Sequence, residues 1–348
     1  MKKSIKKVVA IDLFCGAGGL TCGLQRAGIK VSAGYDIDPA AEYAYTKNNN
    51  SSFVLKDVAK VKGEEIAERF GKADYTLLAG CAPCQPFSSY TNTVKEKDDK
   101  WKLLRHFARL IKETDPDLVT MENVPNLEKQ DVFKEFLKTL EKRGYFYTYK
   151  VISCPEYGIP QSRRRLVLLA SKIKPIEIIP PTHEKSNYRT VKESISHLPP
   201  LKAGEQDNND PLHISSRLSP LNMERILHSK QGGTWRDWPK KLVASCHKKN
   251  SGKTFPGVYG RMSWDKPSPT ITTQCYGFGN GRFGHPIQNR ALSLREAAIL
   301  QTFPSDYEFI PAGTQVKMRE VGTLIGNAVP VRLGEVVAES IMKHISTN

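Results

Sequence analysis

The stretch VVAIDLFCGAGGLTCGLQRAGIKVSAGYD, residues 8–36, decides the fold. It opens on an apolar run from Val8 to Phe14 and turns through Cys15-Gly16-Ala17-Gly18-Gly19. An amphipathic segment then runs to Gly28, and a second apolar run ends on Asp36. Two β-type runs joined by a helix begin a parallel sheet, because parallel neighbours need a crossover of about that length. The glycines fall at the strand-to-helix turn, where the backbone must bend sharply and come close to a ligand.

The same alternation continues outward. Strands are expected at 8–14, 30–36, 53–56, 75–79, 118–121, 145–152 and 165–170. Helices lie between them, such as 101–113, where Leu103, Leu104, Phe107, Leu110 and Ile111 share one stripe and Pro116 follows. This predicts an α/β fold with a doubly wound, mostly parallel sheet. From about residue 174 the texture changes to Pro, His, Asn and Gly, including Pro180-Pro181 and Pro199-Pro200. The expected organisation is one domain over 1–173 and 291–348, with a smaller loop-rich domain over 174–290. Periodicity resumes at 293–302 and in a last helix over 331–344, and both are expected to pack back on the first domain.

With 348 residues the chain can bury a sizeable core. Its formal charge of +16 favours an anionic partner. Residues 174–290 hold 18 Lys and Arg against 9 Asp and Glu, so more than half of the surplus sits in a third of the chain. That concentration points to a nucleic-acid face. No run approaches 18 apolar residues and no basic amphipathic helix with an aromatic face stands out, so a membrane is not expected as partner. The basic start meets Asp12 after only four apolar residues, which argues against an export signal. Seven cysteines, an odd and scattered number, suit a reducing cytoplasm better than a disulfide framework.

The glycine turn lacks the third glycine of the dinucleotide fingerprint, which favours a cofactor without a pyrophosphate, S-adenosylmethionine being the obvious candidate. Asp36 ends the next strand, where its carboxylate can accept from two ribose hydroxyls, and Asp57 ends the third, within reach of an adenine amino group. Three further strings follow in order: Pro83-Cys84-Gln85, Glu122-Asn123-Val124 and Gln161-x-Arg163-x-Arg165. With the glycine loop they supply a thiol nucleophile, a carboxyl acid and a cationic clamp at successive strand ends. Cys81-x-x-Cys84 could also be read as half a zinc site or a redox pair. No second Cys-x-x-Cys exists and the thioredoxin setting is absent, so no metal is expected.

In that order and placement, the strings resemble the DNA (cytosine-5)-methyltransferase family of prokaryotic restriction-modification type. The resemblance runs from about residue 9 to 345 and is thin only over 174–258. It implies the S-adenosylmethionine-dependent methyltransferase fold with 174–290 as target recognition domain. It also implies methyl transfer to C5 of a cytosine flipped out of a specific duplex sequence, through a covalent Cys84–C6 intermediate. C5 is a poor nucleophile until a thiolate adds at C6, and that addition is easier when N3 is protonated by a buried acid, here Glu122. By the same resemblance Asn123 fixes the turn, Val124 packs, Arg165 binds the cytosine O2 and Arg163 holds Glu122.

Phe14 and Ile37 would sandwich the adenine, and Gly16, Gly18, Gly19, Val58, Pro83, Leu103, Asn327 and Val329 would line the rest of the cofactor site. Many family members carry Glu and Trp where this chain has Asp36 and Ile37. Gln85, Ser88, Arg261, Thr270 and Ile271 are the implied DNA contacts, and the polar segment 87–100 is the implied lid. Gly232-Gly-Thr-Trp235-Arg-Asp-Trp238 and Tyr259-Gly-Arg261 suit a DNA groove and structural loops equally. Arg295-Glu296 before Leu300-Gln-Thr-Phe-Pro304, and Gly326-Asn-Ala-Val-Pro330, resemble the closing motifs. The implied partners are duplex DNA and a cognate restriction endonuclease on the same site, for a monomeric, cytoplasmic protein held at the nucleoid by DNA. Two alternatives share the fold: the same chemistry on tRNA, and a catalytically silent DNA-binding regulator. A long basic variable region favours duplex DNA over tRNA, and retention of Cys84, Glu122, Arg163 and Arg165 disfavours a silent regulator.

Overall fold

The computed structural model describes residues 6–83 and 95–346. The chain divides into two compact units, one built on Met1–Ser153, Arg164–Thr182 and Val329–Asn348, the other on Cys154–Arg163 and His183–Ala328. In chain order the first unit contains β1 (Val8–Leu13), α1 (Gly19–Arg26), β2 (Lys30–Asp36), α2 (Ala41–Asn48), β3 (Ser52–Leu55) and α3 (Gly63–Phe70). It continues with β4 (Tyr75–Gly80), α4 (Lys95–Thr114), β5 (Leu118–Asn123), α5 (Asp131–Lys142) and β6 (Phe146–Ser153). The short β7 (Gln161–Ser162) belongs to the second unit, after which β8 (Arg164–Ser171) returns to the first. The second unit then holds α6 (Val191–Ile195), α7 (Pro220–Leu227), α8 (Ser245–Lys248), β9 (Ser268–Pro269), α9 (Leu294–Leu300) and α10 (Met318–Asn327). Finally α11 (Val331–Ser346) closes the first unit.

The main sheet has the order β3-β2-β1-β4-β5-β8-β6. Its first five strands are parallel, and β8 runs antiparallel between β5 and β6. The strand order reverses at β1, so the connections that leave β1 and β4 run toward opposite edges of the sheet, and open α/β sheets bind ligands at the carboxyl ends of such a pair. Every residue of β1 and of β5 is buried, as expected for strands covered on both faces. Ile11, Leu13 and Leu78 from the sheet pack with Phe107 and Ile111 of α4 and Phe133 and Phe136 of α5 in one core.

Two expectations change. Helix α4 begins at Lys95 rather than near 101, so the end of the stretch read as a lid is helical, while 84–94 lies outside the described residues. The expected boundaries at 174 and 291 also differ from the two units, because 154–163 and 291–328 go with the second. There β7 pairs with β9, and α9 packs on α6 and α10, so the closing motif at 293–302 finds its apolar partners inside the second unit. Helix α11 belongs to the first unit, where it packs against α1. A window within Met318–Ser346 is apolar enough to pass for a membrane span by composition. It is broken between α10 and α11, and 78% of it is buried in the protein.

The α1–α11 contact is backbone against backbone. A Cβ on Gly23 would lie 2.3 Å from the Val331 carbonyl oxygen and 2.7 Å from the Glu335 nitrogen. We therefore expect Gly23→Ala to cost on the order of 1–3 kcal/mol by forcing the helices apart. Urea denaturation measures this, and an unchanged midpoint would contradict the close approach.

Candidate active site

The register of the parallel strands brings the chemistry together. Leu13 of β1 is level with Gly80 of β4, and Gly80 is level with Met121 of β5. One residue further along, Cys81 follows β4 and Glu122 lies in β5, and their side chains meet with the Cys81 thiol donating to Glu122 Oε2 at 2.7 Å. Across the antiparallel pair, Glu122 is opposite Val167, so Arg165, two residues along β8, lies on the same face as a diagonal neighbour. Its Nε is 2.8 Å from Glu122 Oε1. The N–H is not aimed at that oxygen, so among the described residues Oε1 has a charge contact and accepts no hydrogen bond.

Glu122 is only 4% exposed. A buried carboxylate needs such partners, because leaving the charge alone in a low-dielectric setting is costly. Asn123 fixes the following turn: its Nδ2 donates to the Ala82 carbonyl at 3.0 Å, and its Oδ1 accepts from Val124 N at 2.8 Å. The guanidinium found against Glu122 within this unit is thus that of Arg165, the residue expected to meet the base. Arg163, expected to hold Glu122, is buried in the second unit and donates through Nη1 to the Ile271 carbonyl at 3.1 Å. Arg164 is exposed, as its alternation along the strand predicts.

The glycine loop is tied to the end of β2. Asp36 accepts from Gly16 N through Oδ2 at 2.8 Å, and from Ile37 N and Asp38 N through Oδ1 at 2.8 and 3.0 Å. Gly16 and Gly18 have φ of +50° and +88°, and Phe14 holds φ +61°, a conformation uncommon outside glycine. A Cβ on Gly16 would meet no atom of the described residues within 4 Å. Ile37 is 69% exposed beside it. Gly19 begins α1. Asp57 caps the turn at Val58–Lys60 by accepting from Ala59 N at 2.9 Å, and Arg109 of α4 pins that turn through the Val58 and Val61 carbonyls. Val58 and Val329 are buried, Leu103 is half-buried and Pro83 exposed, and Asn327 is an exposed residue of the second unit. Cys84, Gln85 and Ser88 lie outside the described residues.

In the second unit, Gln161 and Arg163 hold the backbone of one residue, Ile271, by its N–H and its carbonyl. Gln161 Oε1 accepts from Ile271 N at 2.9 Å, and Arg163 donates to its carbonyl. Thr270 Oγ1 donates to the Ser162 carbonyl, and Gln161 Nε2 donates to Gln301 Oε1 at 2.8 Å. Ile271 is fully buried, so its side chain packs inside the unit, whereas Thr270 remains half-exposed.

Arg261 is a correction: it is 4% exposed, and its five N–H groups go to Ser229, His285, Gln288 and Ile226 carbonyls and to Asn289 Oδ1. A guanidinium whose donors are all spent staples loops and has none left for DNA. Trp235 and Trp238 are likewise core, packed with Ile226, Leu242 and Phe278. Arg290 and Glu296 form a buried two-pronged ion pair at 2.7 Å for each prong. Beside them burial pushes the His285 imidazole down to about 4. These charges hold the unit together.

The model of the C-5 cytosine-specific DNA methylase family matches residues 8–343. The chain belongs to that family. It is 52% identical over 338 residues to the type II methylase M.HgiDII of Herpetosiphon aurantiacus, covering 96% of this chain and 95% of the relative. It is 32% identical over 349 residues to the type II methyltransferase M1.BsuMI of Bacillus subtilis strain 168, covering 94% and 78%. A solved structure from Escherichia coli, described as a DNA modification methyltransferase encoded within a prophage, superposes with a TM-score of 0.74 at 21% identity. It covers 98% of this chain and 100% of the other. The sheet is accordingly that of the methyltransferase fold, and the protein is a DNA (cytosine-5)-methyltransferase.

Sequence reading missed Asp12, which lies under the glycine loop. It is 1% exposed; Oδ2 accepts from Thr21 Oγ1 at 2.7 Å, while Oδ1 has no hydrogen-bond partner among the described residues. Burial, aided by the Asp36 charge and opposed by the Thr21 hydrogen bond, pushes its carboxyl up to about 7. An unfolded Asp ionises near pH 4 while the folded one keeps its proton to about pH 7. Stability therefore falls as pH rises through that window, by roughly 1.4 kcal/mol per unit. Asp12→Asn removes this loss. Its stability relative to the parent, from urea midpoints at pH 5, 6, 7 and 8, should rise to about pH 7 and then level; a pH-independent difference would contradict the burial argument.

Proposed function

We propose that this chain is the modification enzyme of a type II restriction-modification system. It flips a cytosine out of a specific duplex sequence and methylates it at C5 through a covalent intermediate on Cys84. The reading is carried by Glu122: a buried carboxyl group at the carboxyl edge of the sheet, held by Arg165, beside the loop that leads to Cys84. The Cys84 thiolate adds to C6 as Glu122, having first taken up a proton, passes it to N3, and C5 becomes enamine-like and takes the methyl group. Loss of the C5 proton to a base, expulsion of the thiolate and return of the N3 proton to the Glu122 carboxylate then restore the ring. Arg165, already against Glu122, also meets the cytosine O2, and Arg163 steadies the Thr270–Ile271 element.

S-adenosylmethionine supplies the electrophilic methyl group when bound. Gly16, whose Cβ position no described residue approaches within 4 Å, the Asp36 carboxylate at the end of β2 and the exposed Ile37 fit an adenosine better than a pyrophosphate. Asp36 would take the ribose, Phe14 and Ile37 the adenine faces, Asp57 the adenine amino group, and Gly18, Gly19, Val58, Pro83, Leu103, Asn327 and Val329 the remaining surface. The region 174–290, with its basic surplus, serves as the target recognition domain, and Gln85, Ser88 and Thr270 contact the DNA. The natural setting is a bacterial cytoplasm, as a monomer on DNA, with an endonuclease of the same specificity as its counterpart.

Labelled S-adenosylmethionine, offered with unmethylated duplex DNA or with bulk tRNA, tests this. Label should appear as 5-methylcytosine in DNA alone. Cys84→Ala should lower transfer by at least about 10³-fold while DNA binding persists. Label in tRNA alone, or undiminished transfer by the variant, would overturn the reading.

A further inference from the structure

Cys81 is a half-buried thiol that the reaction as written does not use. Its backbone N–H donates to the Leu13 carbonyl at 3.3 Å, the last residue of β1 before the glycine loop. Its thiol donates to Glu122 Oε2 at 2.7 Å. One residue on, the Ala82 carbonyl accepts from Asn123 Nδ2 at 3.0 Å. Two rungs therefore join the segment after β4 to the end of β5, and one of them ends on the carboxyl group proposed to protonate the base. The remaining oxygen of Glu122 faces Arg165.

We propose that Cys81 is a positioning residue for methyl transfer: its thiol fixes the rotation of the Glu122 carboxyl group and so determines which oxygen is presented to the base. The proposal rests on the reading of Glu122 as the acid. A carboxyl group has two equivalent oxygens and a broad, roughly two-fold terminal torsion, so burial alone does not fix its plane. A cation at Oε1 attracts without specifying direction when its N–H is not aimed along the contact. A directional donor at Oε2 supplies what the cation does not, and a hydrogen bond to a charged group is among the stronger kind. The register makes the contact unavoidable, since Gly80 and Met121 are level in the parallel pair and the next residues are 81 and 122.

The test compares Cys81→Ala, Cys81→Ser, Glu122→Gln and the double variant Cys81→Ala with Glu122→Gln, all in the full chain. kcat, KM for DNA and KM for S-adenosylmethionine are measured on unmethylated duplex DNA, with melting temperature and calorimetric cofactor binding as checks on folding. Cys81→Ala should lose about 10- to 100-fold in kcat, the worth of a hydrogen bond to a charged group. Both KM values should stay within about twofold, since the loss falls on the chemical step. Cys81→Ser keeps a donor and should restore most of kcat. In the Glu122→Gln background, Cys81→Ala should add nothing further. Full kcat in Cys81→Ala beside a crippled Glu122→Gln would overturn the role of Cys81 and leave the acid standing. Full kcat in Glu122→Gln would remove the acid reading and this proposal with it. A Ser variant as slow as the Ala variant, with both melting lower, would reduce Cys81 to packing.

Discussion

The register at the carboxyl ends of β1, β4 and β5 is the constraint on which the rest depends. Leu13, Gly80 and Met121 stand level, so the glycine loop, the segment leading to Cys84 and the Glu122 carboxyl group leave the sheet at one height. Side chains in strands alternate with a period of two, so a slip of one residue in β5 would turn Glu122 to the other face and put Met121 or Asn123 in its place. The antiparallel β8 then adds Arg165 from the opposite direction, as a diagonal neighbour of Glu122. A parallel sheet alone would deliver groups only from the carboxyl ends of strands; the reversal at β8 brings in a cation from the amino end of one.

In the second unit, charge has been turned inward. Arg261 spends its donors on loop carbonyls, Arg290 is locked to Glu296, and Arg295 pairs with Asp210. A loop-rich domain has few long elements to bury, so it replaces ladder hydrogen bonds with guanidinium staples between loops. Part of the basic surplus of the region is therefore structural, and the cations left to meet an anionic partner are exposed ones such as Lys240, Lys248 and Lys249.

The first unit was legible because its signals are local. Apolar runs mark β1 and β2, the glycines mark the turn between them, and Glu122 closes a run of buried residues. Cys81 was not legible as a partner of Glu122, because a separation of 41 positions hides a register that only pairing across strands reveals. Arg261, Trp235 and Trp238 were ambiguous for a related reason: basic and aromatic residues in loops serve a groove or a small core equally well, and burial decides. The start of α4 was placed too late because Lys and Glu carry no apolar stripe, yet both are good helix formers.

The proposed methyl transfer runs through a thioether between Cys84 and C6 of a flipped cytosine. Fluorine in place of hydrogen at C5 blocks the final proton loss, so the thioether should persist. Duplex DNA copied from a random-sequence template with 5-fluorodeoxycytidine can be incubated with the protein and S-adenosylmethionine, digested and mapped by mass spectrometry. A methylated nucleotide attached to the peptide carrying Cys84, formed only with cofactor, is the predicted result. Attachment at Cys81, or no adduct from a preparation that methylates ordinary DNA, would contradict it.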